Sequence, residues 1–457
     1  MLKGKKFRIA GSLLVLALVG AACSSRDDNN ASTDNGGGSG DSGGASESSI
    51  DTANCTADPT AEIEGNEIKL ASSFPQSGAT AAFSQIAKGW KSYIQMINDE
   101  GGVEIDGKTY TITTTDKDDQ YNPQNTVANI DELVGEDGSN AFATFSVVGT
   151  ANNLAIRQQL GDLCVPNLFA ATGSPAWGDP SFPWTLGSTL SPYSLEGKAF
   201  ADLLGDEKPD AKIAVLVQDD DFGKAYEEGL KKAIEGTDLE IVKTEKYATG
   251  ATEVSAQITS LAASGADAFF DGATLLACPD ALTKAADAGW TPITWVSATC
   301  TSKTLMGVAG ANANNAYSYT NLKDPLNPDW DDDPAMMEYR EKVGQYQPDA
   351  DVNNGIVAYG WTQGALLVEA LKAAEAPTRL AVMESMHNFS ASDVGLLLPG
   401  VTVKTGPDDP YLGEAFNVMK YEFTAPDARN HFVLVGDIND VEGQTADFTP
   451  ESLISSG

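Results

Sequence analysis

Histidine is nearly missing from this chain: its 457 residues include only His387 and His431. No Cys-x-x-Cys spacing occurs, so the usual ligand set of a zinc site is not there. His-Glu-x-x-His is absent, Gly-x-Ser-x-Gly occurs as Gly40–Gly44 inside a Ser/Gly-rich stretch without the strand and helix it needs, and the two histidines fall late in the chain without a nucleophile partner, which removes the common hydrolase and metalloprotease signatures. Carboxylates are plentiful, but no paired motif marks a glycosidase. Basic residues are scarce, 29 Lys and Arg against 65 Asp and Glu, giving a formal charge of −36. A chain this acidic repels nucleic acid and anionic lipid, so neither is expected as an electrostatic partner. The apolar stretch Ile9–Ala22 falls short of the about 20 residues a bilayer crossing needs. No metal site, cofactor or catalytic constellation is read from the sequence, and the chain is not expected to be an enzyme.

One pattern needs separate treatment. Gly102–Thr109 (GVEIDGKT) carries the letters of a phosphate-binding loop. That loop requires a strand before it and a helix after it. Here the order is reversed, and Glu104 and Asp106 would repel phosphate, so the segment is expected to be a hairpin-like turn.

The opening residues are informative. Lys3, Lys5, Lys6 and Arg8 precede the apolar stretch, which ends in Gly20-Ala21-Ala22-Cys23. Basic, apolar and small-residue segments in that order make a secretory signal, expected over 1–22. The last four residues resemble the lipobox of bacterial lipoproteins, with Gly20 where that family usually has Leu; the resemblance implies that Cys23 is acylated and anchors the chain to the bilayer. Without those four basic residues the formal charge is about −40. The following residues are mostly Ser, Gly, Asp and Asn, too polar to offset their ordering entropy by burial. A flexible tether is expected over 23–65, and an extracytoplasmic location follows.

The remainder suits two lobes by its length. Short β-rich runs alternate with amphipathic stretches: Glu67–Ser72, the helix Ala81–Asn98, Thr109–Thr114, the helix Pro123–Val134, Asn140–Val147, the helix Thr150–Leu160 and Val165–Phe169. Glu100-Gly101-Gly102 supplies a helix stop, since glycine takes the left-handed cap conformation. The alternation restarts with Lys212–Val217 and runs to Pro292–Val296; a long helix is expected over Ile356–Ala374. Alternating strands and helices imply parallel sheets covered on both faces. The expected fold class is therefore α/β, with two doubly wound lobes and a ligand cleft beyond the carboxyl ends of the strands.

Beyond Cys23 the cysteines are Cys55, Cys164, Cys278 and Cys300. An even number in an exported chain suggests disulfides, with three pairings open. Cys278–Cys300 is favoured because each follows an apolar strand-like run in adjacent strand–helix units. That leaves Cys55–Cys164. Closing the shorter loop is worth roughly 3 kcal/mol on the chain-entropy account.

The order of elements, with several local patterns, resembles the type I periplasmic-binding-protein family, in its Leu/Ile/Val-binding branch. Those patterns are Ser73-Phe74-Pro75-Gln76-Ser77-Gly78 after the first strand, Asn98-Asp99-Glu100-Gly101-Gly102-Val103, Asp118-Asp119 with Asn122-Pro123, Ala170-Ala171-Thr172 after a strand, and Phe222-Gly223. The resemblance spans about Glu67 to Val435 and implies a hinge crossed three times. One lobe would hold 66–187 and 322–381, the other 188–321 and 382–440, with a tail over 441–457.

The resemblance also implies a ligand site. Val147, Gly149 and Thr150 form a strand-to-helix turn whose amides and helix dipole suit an anion. On residue chemistry alone the same turn is a plain N-cap. Ala170, Ala171 and Thr172 match the family's second ligand turn, with the Ala170 carbonyl accepting from the ligand; an ST-turn is the alternative. Phe83 and Phe222 would wall the cleft from opposite lobes, Tyr359 could look into it, and Thr274 and Thr299 fall on second-lobe turns. The amino-acid binders place a glutamate near Ala298 to meet the ligand ammonium; here Asp220, Asp221 or Asp271 must supply that charge, or the ligand is not an α-amino acid. The implied partners are a small-molecule solute, an ABC permease and, through Cys23, the bilayer. A sensory receptor subunit is the alternative, and a structural or adhesive lipoprotein a third reading.

Overall fold

The computed structural model describes residues 50–135 and 140–455. The signal segment, Cys23 and the tether up to residue 49 lie outside the described residues. No helix among the described residues is long and apolar enough to cross a membrane.

Among the described residues, fifteen strands form two large sheets and a small hairpin. The first sheet contains β1 (Glu67–Phe74), β2 (Val103–Ile105), β3 (Lys108–Asp118), β4 (Ala143–Phe145), β5 (Asn167–Ala170) and β6 (Thr185–Gly187), in the order β2-β3-β1-β4-β5-β6. The second contains β7 (Lys212–Gln218), β8 (Glu240–Tyr247), β9 (Ala268–Gly272), β10 (Ile293–Val296) and β11 (Tyr317–Thr320), joined after the β12 (Ser390–Ser392) and β13 (Thr402–Lys404) hairpin by β14 (Ala415–Glu422) and β15 (His431–Asp440). Its order is β15-β14-β11-β10-β9-β7-β8, parallel from β8 to β11 and antiparallel across β11, β14 and β15.

Each sheet is covered on both faces, and its central strands are correspondingly buried along most of their length. β7 (KIAVLVQ) is buried at every residue after Lys212. On one face of the first sheet lie the helices Gln85–Asp99 and Gly355–Ala373; Pro123–Val134 and Thr150–Leu163 cover the other. The first pair touch backbone to backbone: a Cβ on Gly360 would sit 1.9 Å from the Ile86 carbonyl oxygen. The phosphate-loop letters fold as the β2–β3 hairpin, with Asp106 and Gly107 at φ 48° and 70°, the two-residue turn that matches strand twist.

Both disulfides are present. Cys55–Cys164 ties the start of the described chain to the first lobe, and Cys278–Cys300 lies in the second-lobe core. Residues 50–65, expected to belong to the tether, pack against the first lobe instead. Ile50 is buried in the first-lobe core, Thr56 donates its N–H to the Asp162 carbonyl at 2.8 Å, and Ile63 donates to Pro377 at 2.9 Å.

The chain crosses three times between lobes, but the last crossing is not at residue 382. Val382, Met386, Leu397, Val403 and Leu412 all belong to the first-lobe core, so 382–412 packs there and the chain crosses near Gly413. Apolar burial placed this segment, which carries no strand–helix signature of its own. The crossings are fastened together: Asn321 Nδ2 donates to the Thr189 carbonyl, Ser191 N–H donates to Tyr319 Oη at 2.9 Å, and Gly413 fits against Thr189 where a Cβ would lie 2.5 Å from the carbonyl oxygen. The expected tail is also docked, with Val441 and Phe448 against the second-lobe core and Thr449 bonded to Ser194 at 2.6 Å.

Candidate functional site

Beyond the carboxyl ends of β1, β4 and β5 in one lobe, and β7, β9 and β10 in the other, lies a cavity enclosing about 1110 Å³ of non-protein space, its open mouth included. Phe83, Gly149, Ala171, Thr172, Phe222, Thr274, Thr299 and Tyr359 line it. Val147, Thr150 and Ala170 do not. They sit one layer behind, and the reason is hydrogen bonding. The Val147 carbonyl accepts from Ala171 N–H and Asn153 Nδ2, and the Ala170 carbonyl accepts from Thr172 N–H at 2.8 Å instead of facing a ligand. Thr150 Oγ1 meets Thr172 Oγ1 at 2.6 Å, and Thr172 Oγ1 meets Tyr193 Oη at 3.2 Å.

Gly149 starts the helix Thr150–Leu163 at φ 103°, which a side chain would resist. Space demands glycine too, since a Cβ would lie 2.7 Å from the Tyr121 ring. The first turn of this helix leaves amide N–H groups without helical acceptors. Thr274 adds a buried hydroxyl with no partner, its backbone N–H donating to Tyr247 Oη at 3.0 Å.

The walls are largely aromatic. Phe83 packs on Tyr121 at 6.0 Å between ring centres, and Phe222 stands edge-on to Tyr193 at 5.1 Å. Tyr359 donates to Ser188 Oγ at the hinge, 2.7 Å away. Tyr121 follows Gln120 at positive φ, 60° and 54°, and its N–H donates to Asp119. Burial, with the field of Asp220 from the other lobe, raises the Tyr121 phenol well above its ordinary range.

None of the three candidate ammonium partners lines the cavity. Asp220 caps the helix Asp221–Ala233, accepting from Gly223 N–H at 3.2 Å and Gln218 Nε2 at 2.6 Å. Asp221 is exposed in its first turn. Asp271 is fully buried behind the wall, with one oxygen unpartnered, and desolvation raises its carboxyl well above the ordinary range. The carboxylate that does line the cavity is Asp324, at the second crossing, which accepts from Leu326 N–H at 2.9 Å.

A family model described as periplasmic binding protein matches residues 67–422. The chain belongs to the periplasmic binding protein family. The family's fold binds solutes and is not enzymatic. Among solved structures, a branched-chain amino acid ABC transporter protein from Thermus thermophilus with bound valine is 19% identical, covers 83% of this chain and 98% of its own, and superposes with TM-score 0.72. A fatty acid ABC transporter substrate-binding protein from Thermomonospora curvata is 20% identical, covers 85% and 96%, and gives 0.71. A possible leucine/isoleucine/valine-binding protein from Rhodopirellula baltica is 18% identical, covers 82% and 98%, and gives 0.67. At these identities the likeness is one of fold.

Within this family member, sequence reasoning missed Tyr121, Tyr193 and Tyr319 in the wall. Tyr121 carried a signal, an aromatic side chain inside the polar turn before the Asn122-Pro123 helix entry. Tyr193 and Tyr319 sit beside hinge crossings, and only the folded hinge brings them together.

Proposed function

We propose that this chain is an extracytoplasmic, lipid-anchored receptor that delivers a small solute, with an apolar body and a hydrogen-bonding head, to an ABC importer. The observation that carries this reading is the cavity between the lobes, with Phe83 and Tyr121 on one side and Tyr193 and Phe222 on the other. Aromatic faces from two lobes bury an apolar body and reward closure about the hinge. The polar groups of the wall include the hydroxyls of Thr172, Thr274 and Thr299, the turn at Gly149 and the Asp324 carboxyl. That division of labour is usual for small-molecule sites. Ala298 stands in place of an acid, and burial raises the Asp324 carboxyl, which lines the wall and accepts from Leu326 N–H, above its ordinary range; this disfavours a buried ammonium, which costs several kcal/mol without a counter-charge. The valine and fatty acid named for the structural neighbours both join a hydrocarbon body to a carboxylate, which is consistent with such a cavity.

Thermal-shift measurements on the full chain with leucine, 4-methyl-2-oxopentanoate, 4-methylpentanamide and octanoate test the reading. Native-state binding raises the melting point. Stabilisation by an acid or amide lacking the α-amino group is the expected result; stabilisation by leucine alone overturns the ammonium argument, and stabilisation by none overturns the solute class.

A further inference from the structure

Glu196 lies in the first turn of the helix Tyr193–Glu207, 1% exposed, immediately behind the cavity wall. Its Oε2 accepts from the indole Nε1 of Trp295 and from Ala298 N–H, each at 3.1 Å. Its Oε1 accepts from Tyr226 Oη at 2.5 Å. Tyr226 Oη lies 2.8 Å from Ser297 Oγ, and Ser297 Oγ lies 2.9 Å from Thr299 Oγ1, which belongs to the cavity wall. Tyr226, Trp295 and Ser297 are wholly buried.

The inventory of protons fixes the direction of this chain. A hydroxyl has one proton to donate and two lone pairs. An ionised Glu196 takes the Tyr226 proton, leaving the Tyr226 oxygen to accept from Ser297. Ser297 has then given its only proton, so its two lone pairs accept, one from Thr299 N–H at 3.2 Å and the other from Thr299 Oγ1. Within the protein the Thr299 proton has one alternative acceptor, the Ala273 carbonyl at the longer distance of 3.4 Å. With its proton on Ser297, Thr299 turns a lone pair toward the cavity, polarised by the bonds behind it.

We propose that Glu196, Tyr226, Ser297 and Thr299 form a hydrogen-bond relay that makes Thr299 an acceptor in the cavity wall, so that the second lobe selects a solute bearing a neutral hydrogen-bond donor such as an amide N–H or a hydroxyl. Glu196 is a positioning residue in this scheme and Thr299 the contact. The inference rests on the cavity being the solute site. The ionisable groups facing Glu196 are the phenols of Tyr193 from its own helix, Tyr226 from the helix Asp221–Ala233 and Tyr319 from β11. Burial pushes the Glu196 carboxyl up to about 7, against the three donors that hold it down. The relay therefore reverses within an accessible pH range: a protonated Glu196 can donate to Tyr226, and Thr299 is then free to donate.

Carbon-13 NMR of the full chain labelled at glutamate carboxyls, with Glu196→Gln for assignment, follows this titration. Thr299→Val removes the outermost donor and is expected to move the Glu196 midpoint upward by about 0.5 to 1 in pH. Thr299→Ser, which keeps the hydroxyl, is expected to leave it near that of the unaltered protein. A Thr299→Val midpoint coinciding with the unaltered protein overturns the relay. Saturating 4-methylpentanamide is expected to lower the midpoint and 4-methylpentanoate to raise it. Binding of both with no change in the midpoint overturns the relay alone. Binding of neither overturns the solute reading and with it the selection, while the Thr299→Val titration still decides the relay.

Discussion

Removing the second-lobe disulfide has a magnitude that follows from the structure. Cys278 and Cys300 are separated by 22 residues, and the chain-entropy relation gives about 3.4 kcal/mol for a loop of that size. Both residues are fully buried in the core that packs Leu282, Val296 and Met306, so a Cys278→Ala, Cys300→Ala protein also loses two buried sulfur atoms. The relation for the Cys55–Cys164 bridge, with a separation of 109, gives about 4.8 kcal/mol. The removed bridge also joins two turns of the cavity wall, since Thr274 precedes one cysteine and Thr299 and Thr301 flank the other. Urea unfolding without reductant, followed by tryptophan fluorescence, is the assay: Trp290 and Trp295 report on the second lobe, Trp90 and Trp361 on the first. The expected result is a lower midpoint for the second-lobe probes and a steeper denaturant slope, because the unlinked chain exposes more surface when unfolded. An unchanged midpoint, or two reactive thiols at these positions in the unaltered protein, refutes the reasoning.

The remaining predictions concern pH, packing, the cavity and the anchor. Burial pushes the Glu196 and Glu414 carboxyls up to about 7 from an ordinary 4.5, so the folded chain keeps protons that the unfolded chain releases. Stability from these groups is present below about pH 4.5 and lost as pH rises through 7; thermal melts across that window should show it, with a smaller slope in Glu196→Gln and Glu414→Gln. Gly360→Ala should cost about 1–3 kcal/mol or more, because its Cβ meets the Ile86 carbonyl, whereas Gly161→Ala, with nothing within 4 Å, should stabilise its helix by about 0.5–1 kcal/mol; equal melting points for the two variants would contradict this. Thr172→Val leaves the Thr150 and Tyr193 hydroxyls short of a partner and should weaken solute binding by about 1–3 kcal/mol in calorimetry, with unchanged affinity as the contrary result. Cys23→Ala should shift the protein from the membrane to the soluble fraction, and full retention in membranes would place the anchor elsewhere.

Periodicity and turn chemistry in the sequence were enough to determine the α/β class, the two sheets and most helices. Strand runs such as Lys212–Val217 and the long helix near Ile356–Ala374 fall within a residue or so of the observed elements, because local hydrophobic patterns follow from which faces must be buried. The two disulfide pairings could be reasoned from cysteine number and position. Turn residues placed after parallel strands were legible for the same reason: Gly149, Thr172, Phe222 and Thr299 reach the cavity because strand carboxyl ends in both lobes point there. Contacts far apart in sequence were decided only by the tertiary structure. Residues 382–412 joined the first lobe because Leu397 and Val403 found their apolar partners there, and Ile50 did likewise well before the expected end of the tether. Tyr193 and Tyr319 became wall residues because the crossings were tied at Thr189, Ser191 and Asn321. The acid behind Ala298 is Glu196, 102 residues away along the chain. No local pattern carries such a pairing, since a buried carboxyl takes its donors from whichever elements the fold packs around it.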